Sequence, residues 1–187
     1  VSAALVGLEG STVNGMAFTL LDGRASWDHI GKSDENAVPT AIAPTFTPTS
    51  TAAATHTPTF APKPAAETVW IEDSLPPGAV AAGDPVVWGS VAPIPVAGSL
   101  ALHSQLVAGI HQQYFYGASV ALTVAVGDEL VAFAYLDPAH PPSTLMLQWY
   151  DGSWEHRAYW GENNIPWGAD GSASRRYMGP LPVVGEW

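Results

Sequence analysis

The sequence predicts an all-β protein, a β-sandwich of jelly-roll type, and three observations support this class. Glycine and proline supply 18 and 17 of the 187 residues, an abundance that disfavours long helices. Short segments rich in β-branched and aromatic residues recur along the chain, separated by turn signals such as Asp22-Gly23 and Asp151-Gly152. The apolar residues of these segments alternate with polar or small ones, as in strands with one buried face. About ten short strands with no helix between them are typical of a sandwich.

Two segments give the strongest strand patterns. In residues 119–126, Val120, Leu122 and Val124 alternate with small or polar residues, so this segment is predicted as the clearest strand. Residues 129–136 (ELVAFAYL) are apolar on both faces, which is typical of a central strand covered on each side. The predicted strands are, in order, residues 16–21, 24–30, 86–91, 99–103, 110–116, 119–126, 129–136, 144–150 and 153–160.

Residues 37–66 interrupt this pattern with eight Thr, six Pro, nine Ala and a single charged residue. Frequent proline removes backbone donors and keeps its neighbours extended, so the segment is predicted to be a stiff linker that could span up to ~90 Å at about 3.1 Å per residue. It divides the chain into strands at 1–36, the linker, and the main part of the sandwich at 67–187. Either a bare disordered linker or an O-glycosylated stalk fits this composition. The candidate glycosylation sites are Thr45, Thr47, Thr49, Thr51, Thr55, Thr57 and Thr59.

Charge and composition exclude several classes of function. The formal net charge of -11 repels phosphate backbones and anionic lipid headgroups, so neither nucleic acid nor a membrane is expected as a partner. The absence of cysteine excludes disulfides, zinc-thiolate sites and a cysteine nucleophile. No GxSxG, phosphate-binding loop or paired-carboxylate motif is present, and we therefore expect a protein that is not an enzyme.

Several motifs resemble those of a known kind of module. AYLDPAHPPSTLMLQWYDGSWEHRAYWG at residues 134–161 is the most specific, and GIHQQYFYGAS from residue 109 and VGLEGSTVNGMAFTLLDGRASWDHIGK from residue 6 accompany it. Together they resemble a jelly-roll module, similar to galactose-binding and carbohydrate-binding-module sandwiches, that recurs in large secreted bacterial surface proteins. The resemblance implies that the chain is cut in permuted order, since the strand that begins at GEW in such modules leads after a few residues into VSAALVGLEG.

This permuted order implies that residues 1–36 complete a sandwich. Tandem repetition or strand exchange would let them complete the sandwich of an adjacent copy, whereas self-closure would require the linker to turn back on its own chain. Without a partner the first strands would expose an apolar edge, which invites strand addition from another copy. The residues expected at this junction are Met16, Phe18, Leu20 and Trp27.

The densest aromatic cluster lies between residues 149 and 177, beside Gln148, Glu155 and Arg157. Aromatic faces and planar polar groups suit the binding of sugars, although period-two placement predicts that part of the cluster lies in the core. Trp154, Tyr150 and Trp167 stand next to turn residues and are the sugar-binding candidates.

A structural calcium ion is the one cofactor that the resemblance implies. Sandwiches of this kind often bind calcium beside their first and last strands through carboxylate and backbone oxygens. The matching positions are Asp28, Glu72 and Asp73, although an acidic domain also exposes carboxylates without binding a metal.

Two functions follow from these observations. The leading interpretation is a structural repeat of an extracellular bacterial filament or surface fibre, in which neighbouring copies are the partners. The alternative is a carbohydrate-binding module that attaches a larger surface protein or enzyme to polysaccharide. Both place the protein outside the cell or at its surface.

Overall fold

A computed structural model describes residues 1–34 and 66–187. Residues 37–65 of the predicted linker at 37–66, with all seven candidate glycosylation sites, lie outside these residues. The described part contains one short 3-10 helix, Ala3–Val6, and no helix there is long and apolar enough to cross a membrane. The strands of this part are β1 (Thr12–Val13), β2 (Gly15–Leu21), β3 (Ala25–Ser33), β4 (Glu67–Ile71), β5 (Val80–Gly83), β6 (Val87–Gly89), β7 (Ala101–His103), β8 (Ile110–Tyr116), β9 (Leu122–Thr123), β10 (Glu129–Leu136), β11 (Thr144–Tyr150), β12 (His156–Gly161) and β13 (Arg176–Tyr177).

Two sheets form the sandwich, which confirms the predicted all-β class. One has six strands in the order β13-β12-β11-β2-β8-β5, and the other has five, in the order β10-β3-β7-β6 with β4 also paired to β3. All strand pairs in them are antiparallel except β12 with β13. A small additional sheet joins β1 to β9.

The N-terminal segment supplies an inner strand to each sheet of the sandwich. β2 lies between β11 and β8, and β3 pairs with β10 on one side and with β7 and β4 on the other. The rings of Phe18 on β2 and Trp27 on β3 meet across the sheets with centroids 5.2 Å apart. Met16 and Leu20 are buried in the same core. The sandwich is thus completed by N-terminal strands, here within one chain, and exchange of these strands between copies stays a prediction.

The ends of the linker lie side by side. β3 and β4 form an antiparallel pair in which Ser33 is opposite Glu67. Beyond that pair, the backbone N–H of Asp34 donates to the carbonyl oxygen of Ala66 at 3.3 Å, and the N–H of Ala66 donates to Asp34 Oδ1 at 3.0 Å. The chain therefore leaves the sandwich and returns to it at the same point.

Residues 119–126 were wrongly predicted as one long strand. Only Leu122–Thr123 forms a strand, β9, and it pairs with the equally short β1. Leu122 and Val124 are buried, but Val120 is 55% exposed and Val126 is 81% exposed. Two buried residues two positions apart are enough to produce the alternating pattern, while the flanking valines lie at the surface.

The prediction of a central strand at 129–136 was also wrong in its position. β10 has the predicted bounds, but β3 is its only partner strand in the described structure, so it lies at an edge of its sheet. Its inner face carries small residues, Ala132 and Ala134, whereas Phe133 on the outer face is 37% exposed and packs beside the His29 ring. A strand that is apolar on both faces is therefore only partly covered.

Candidate functional site

The outer face of the six-stranded sheet carries a row of polar side chains. The strand register aligns Tyr114 on β8 with Ala17 on β2, Ala17 with Gln148 on β11, and Gln148 with Arg157 on β12. Successive side chains of a strand point to opposite faces, so the neighbours of these residues, such as Phe18, enter the core instead. Thr19 and Gln112 lie two positions from Ala17 and Tyr114 and share their face. The polar side chains of this face, here called the polar row, are Thr19, Gln112, Tyr114, Gln148 and Arg157.

A continuous hydrogen-bond network fixes the polar row. Thr19 Oγ1 accepts hydrogen bonds from Gln112 Nε2 at 2.9 Å and from Gln148 Nε2 at 2.8 Å. Gln148 Oε1 in turn accepts a hydrogen bond from Arg157 Nε at 2.8 Å. Gln148, Arg157 and Thr19 are all buried, so each rotamer is held by its neighbours before any ligand arrives.

Arg157 is anchored from both ends of its guanidinium group. Nη1 donates to the carbonyl oxygen of Ser174 at 2.9 Å and to Glu155 Oε2 at 3.2 Å, and Nη2 donates to Glu155 Oε1 at 3.2 Å. With the bond from Nε, these contacts use four of the five N–H donors of an arginine. Within the described structure, one N–H of Nη2 remains for a ligand.

Aromatic rings stand over the polar row. Trp154, in the turn between β11 and β12, packs edge-on against Tyr114 at 5.8 Å and lies against Tyr150 at 4.9 Å between ring centroids. Tyr114 also stacks on Tyr116 at 6.5 Å. The contacts with Tyr114 and Tyr150 hold Trp154 in a fixed orientation, although it stands in a turn.

The rings and the polar row enclose an open cavity of about 270 Å³. Its floor consists of amide and guanidinium groups, and its aromatic lining comes from different strands and loops. Pockets for drug-sized ligands occupy about 300–1,000 Å³, so this cavity suits a smaller group. The lining residues are Gln112, Tyr114, Gln148, Trp154, Arg157 and Trp167.

The site is close to neutral in charge despite the acidity of the chain. The hydrogen bonds and the positive charge of Arg157 lower the pKa of the Glu155 carboxyl, so Glu155 is ionised at neutral pH. The positive charge of Arg157 in the cavity floor and the negative charge of the adjacent Glu155 then cancel each other. Nearby, burial and the hydrogen bond to Asp170 raise the pKa of the Tyr159 hydroxyl, so this group carries no charge at neutral pH.

The structure brings the three predicted sugar-binding residues into one region. Trp154 and Trp167 both line the cavity, whereas Tyr150 supports Trp154 from behind and is not part of the lining. Trp149, from the same aromatic cluster, is 3% exposed and belongs to the core.

Sequence reasoning missed the contribution of β2 and β8. Gln112, Tyr114 and Thr19 complete the network and the cavity, yet they lie far along the chain from the aromatic cluster. The alternation in β8 contains a signal, because Gln112, Tyr114 and Tyr116 share one face of that strand. Nothing in a single strand shows which other strand will lie beside it.

The predicted calcium ligands lie near one another but bond to other groups. Asp28 Oδ2 accepts backbone N–H bonds from Val96 at 2.6 Å and Ala97 at 3.1 Å. Asp73 Oδ1 likewise accepts the N–H groups of Ser99 and Leu100, each at 2.7 Å. These two carboxylates therefore hold the 96–100 loop against the sheet.

Glu72, the third predicted ligand, pairs with a histidine. Its Oε2 lies 2.9 Å from His29 Nδ1, while its Oε1 is buried without a hydrogen-bond partner in residues 1–34 and 66–187. Within those ranges, no group of three or more His, Asp or Glu side chains is arranged to hold a metal ion. The arrangement does not fit a preformed calcium site, and calcium binding stays a prediction.

Comparison with known proteins adds no assignment: the chain matches no protein-family profile, no curated protein and no solved structure.

Proposed function

We propose that this protein is a binding module that takes neutral saccharides into the cavity on the outer face of the six-stranded sheet. The observation that carries the proposal is the combination of tryptophan rings with a fixed amide and guanidinium floor in one open cavity. The sequence resemblance to carbohydrate-binding sandwiches points the same way.

The aromatic rings suit the apolar faces of sugar rings. A pyranose presents C–H groups on its flat faces, and these pack against the faces of Trp and Tyr side chains. Trp154 is held by Tyr114 and Tyr150, and Trp167 lines the same cavity. Little conformational entropy of Trp154 is therefore lost on binding, which favours affinity.

The floor offers hydrogen bonds of both kinds to sugar hydroxyls. Gln112 Nε2 is engaged with Thr19, so its Oε1 is the atom left to accept a hydroxyl proton. The remaining N–H of Arg157 Nη2 is available to donate to a hydroxyl oxygen. A hydroxyl group both donates and accepts, and it therefore matches such a pair of groups.

Charge favours neutral sugars over uronic acids. Glu155 neutralises Arg157, which leaves no unpaired positive charge in the cavity to attract a carboxylate. The net charge of -11 adds a general repulsion towards polyanions. Neutral hexose or pentose polymers are the ligand class that this electrostatic environment accepts.

Affinity for a single site will be modest. Each ring contributes about 0.5–1.5 kcal/mol beyond the area that it buries, and sugar hydroxyls must first lose their water. Useful attachment to a polysaccharide then requires several copies acting together, since linked sites bind with a high effective concentration.

The proposal is tested by affinity electrophoresis and calorimetry with cello-, xylo- and galacto-oligosaccharides, and with polygalacturonate as the charged comparison. The wild type should bind at least one neutral series. Trp154→Ala should abolish that binding while circular dichroism and the melting temperature stay close to wild type.

Tyr116→Ala is the matched control, because it removes an aromatic ring from the same face outside the cavity. It should retain binding. Loss of binding in both variants, or no binding of any saccharide by the wild type, would contradict the proposal. Binding of polygalacturonate alone would contradict only the neutral ligand class.

A second candidate function is a structural repeat of an extracellular bacterial filament or surface fibre, joined by an O-glycosylated linker. The position of β2 and β3 favours it, since these inner strands connect to the rest of the sandwich only through residues 35–65. The same strand contacts could be made by residues 1–34 of another copy, which would join copies into an assembly.

This candidate is tested by mixing two differently labelled preparations after brief partial unfolding. Exchange of residues 1–34 should give resonance energy transfer between the labels and species larger than a monomer. The glycosylated linker is tested by intact-mass measurement on native material. A population that remains monomeric after refolding at high concentration would exclude exchange.

A further inference from the structure

A serine and a histidine meet on the outer face of the five-stranded sheet. The register of β3 and β7 places Ser26 opposite His103 and Trp27 opposite Leu102. Trp27 and Leu102 enter the core, so Ser26 and His103 point to the other face of the sheet. There, Ser26 Oγ lies 2.6 Å from His103 Nδ1. The two residues are 77 positions apart in the chain, so no local motif marks the pair.

The second ring nitrogen of His103 determines which of the two nitrogens carries the proton. Nε2 faces Gly89 on β6, where a Cβ atom would lie 2.5 Å away, so a larger residue there would displace the ring. The Gly89 carbonyl accepts a hydrogen bond from the ring, which places the ring proton on Nε2. Nδ1 is then the acceptor for the Ser26 hydroxyl. A hydroxyl, an accepting imidazole and a third group that orients the imidazole are the arrangement of an activated nucleophile.

His103 is in the protonation state that a general base requires. Burial lowers the pKa of His103, the hydrogen bond to Gly89 opposes this effect, and the positive charge of Arg24 adds to it. The imidazole is therefore neutral at neutral pH, and the lone pair of Nδ1 can accept a proton. Histidine takes up a proton from a hydroxyl group in this state.

The serine and the histidine line a common cavity of about 230 Å³. Asp28, two positions along β3, accepts N–H bonds from Val96 and Ala97 and holds their loop against the same face. The volume of the cavity is below the range of about 300–1,000 Å³ for drug-sized ligands, so the cavity has room for a short acyl group. Its apolar lining comes from Ala25, Val91 and Ala92.

Arg24 contributes a positive charge to the same cavity. It stands two positions before Ser26, so the two side chains lie on one side of the extended chain. Its Nε donates to Asp137 Oδ2 at 2.6 Å, which holds the guanidinium group in place. Within residues 1–34 and 66–187, Nη1 and Nη2 have no hydrogen-bond partner. Their N–H groups are available to stabilise an oxygen atom that becomes negative during a reaction.

We propose that Ser26 and His103 act as nucleophile and general base in the hydrolysis of esters of short carboxylic acids. Ser26 Oγ attacks the ester carbonyl carbon while its proton passes to His103 Nδ1, and the carbonyl oxygen becomes negative beside Arg24. His103 then gives this proton to the leaving alkoxide, and the alcohol departs from acyl-Ser26. Water attacks the acyl group and passes a proton to His103 Nδ1. That proton returns to Ser26 Oγ as the carboxylic acid is released.

The partner of the histidine sets the class of substrate. In the Ser-His-Asp triad, a buried carboxylate stabilises the imidazolium that forms during the reaction. His103 has a backbone carbonyl in that place and a positive charge nearby, so its imidazolium is less stable and hydrolysis should be slow. Esters have better leaving groups than amides and are the substrates that such a pair can cleave. This activity goes beyond saccharide binding, and it would revise the expectation, based on motifs, that the protein is not an enzyme.

The test is the reaction of the full chain with p-nitrophenyl acetate. Release of p-nitrophenolate measures turnover, and mass spectrometry after an acid quench detects the acyl-protein. Wild type should gain the mass of one acetyl group, and peptide mapping should place that group on Ser26. Ser26→Ala should lose both the acetyl group and the turnover. His103→Gln should slow the turnover by about 10²–10⁴-fold, the typical contribution of a general base.

Ser33→Ala is the matched control, because Ser33 is another buried serine of β3 and has no histidine partner in the described part of the chain. It should be acetylated at Ser26 and should turn over as wild type does. Wild type that gains no acetyl group at Ser26, or Ser26→Ala with unchanged turnover, would overturn the proposal. Peptide mapping of wild type requires no variant, so it decides the question even if Ser26→Ala does not fold.

Discussion

The polar row and the outer edge of β10 differ in whether their polar groups have hydrogen-bond partners. On the polar row, Thr19, Gln148 and Arg157 form one connected network within a single chain. At the β10 edge, backbone groups of Ala132 and Ala134 lack partners in the described structure. A surface made of paired side chains is preorganised for a small ligand, whereas an unpaired backbone edge is complementary to another strand.

Among the proposed substitutions, removal of Arg157 should lower the free energy of unfolding most. It tests how far the hydrogen-bond network of the polar row stabilises the fold. Arg157→Met leaves the buried Gln148 Oε1 and the half-buried Ser174 carbonyl without their donor, and a buried group without a partner costs about 1–3 kcal/mol. We expect the free energy of unfolding to fall by about 2–4 kcal/mol, measured by urea denaturation.

Glu155→Gln is the matched variant for the exposed end of the same interaction. The Glu155 side chain is 61% exposed, so its ion pair with Arg157 is screened by solvent and should contribute less than about 1 kcal/mol. Equal losses in both variants would mean that the charge pair, and not the buried network, stabilises the polar row.

Substitution of Trp27 tests the opposite behaviour on the β10 side. Trp27→Phe removes some buried volume, which destabilises, but it also removes a buried N–H that has no partner in the described residues. These effects oppose each other, and we expect the free energy of unfolding to change by less than about 1 kcal/mol at low protein concentration. A loss above about 2 kcal/mol would show that Nε1 is bonded in solution.

The smallest expected effect is a dependence of stability on pH, which comes from His29 on β3 of the five-stranded sheet. Burial of His29 opposes its protonation, but the hydrogen bond that its ring donates to Glu72 and the charges of Glu67 and Glu72 outweigh burial and raise the His29 pKa. A raised pKa in the folded state stabilises the fold fully below the unfolded value of about 6.5, and this contribution is lost as pH rises through the folded pKa. The contribution of His29 to stability should therefore decline as the pH rises above about 6.5.

His29→Asn is the control for that pH dependence. His29 has a positive φ of 46°, a conformation that Asn tolerates better than most residues. The variant should keep the β3 backbone and lose the decline in stability above about pH 6.5 that His29 causes, measured by denaturation at each pH. An unchanged profile would assign the pH dependence to other groups.

The sequence predicted the bounds of individual strands better than it predicted which strands lie side by side. The bounds of β8, β10 and β11 were predicted correctly, because each strand carries its own alternating pattern. The edge position of β10 could not be predicted, since pairing partners come from distant parts of the chain. The sequence of β10 is apolar on both faces, which is the same pattern that a central strand would show.

The same limit applied to the candidate site. Trp154 and Trp167 were found through the local density of aromatic residues, and both line the cavity. Thr19 and Gln112 lie 93 residues apart and meet only because β2 and β8 are adjacent in the sheet. A network built across strands leaves no local motif.

The adjacent linker ends at Asp34 and Ala66 make residues 35–65 an insertion in a β-hairpin. The loop-closure cost of a flexible insertion rises by only about 0.6 kcal/mol for each doubling of its length. Segments of very different length, or an entire foreign domain with closely spaced termini, could therefore replace residues 35–65 while the strands of the sandwich keep their register. That point of the fold is a natural attachment site for engineered cargo.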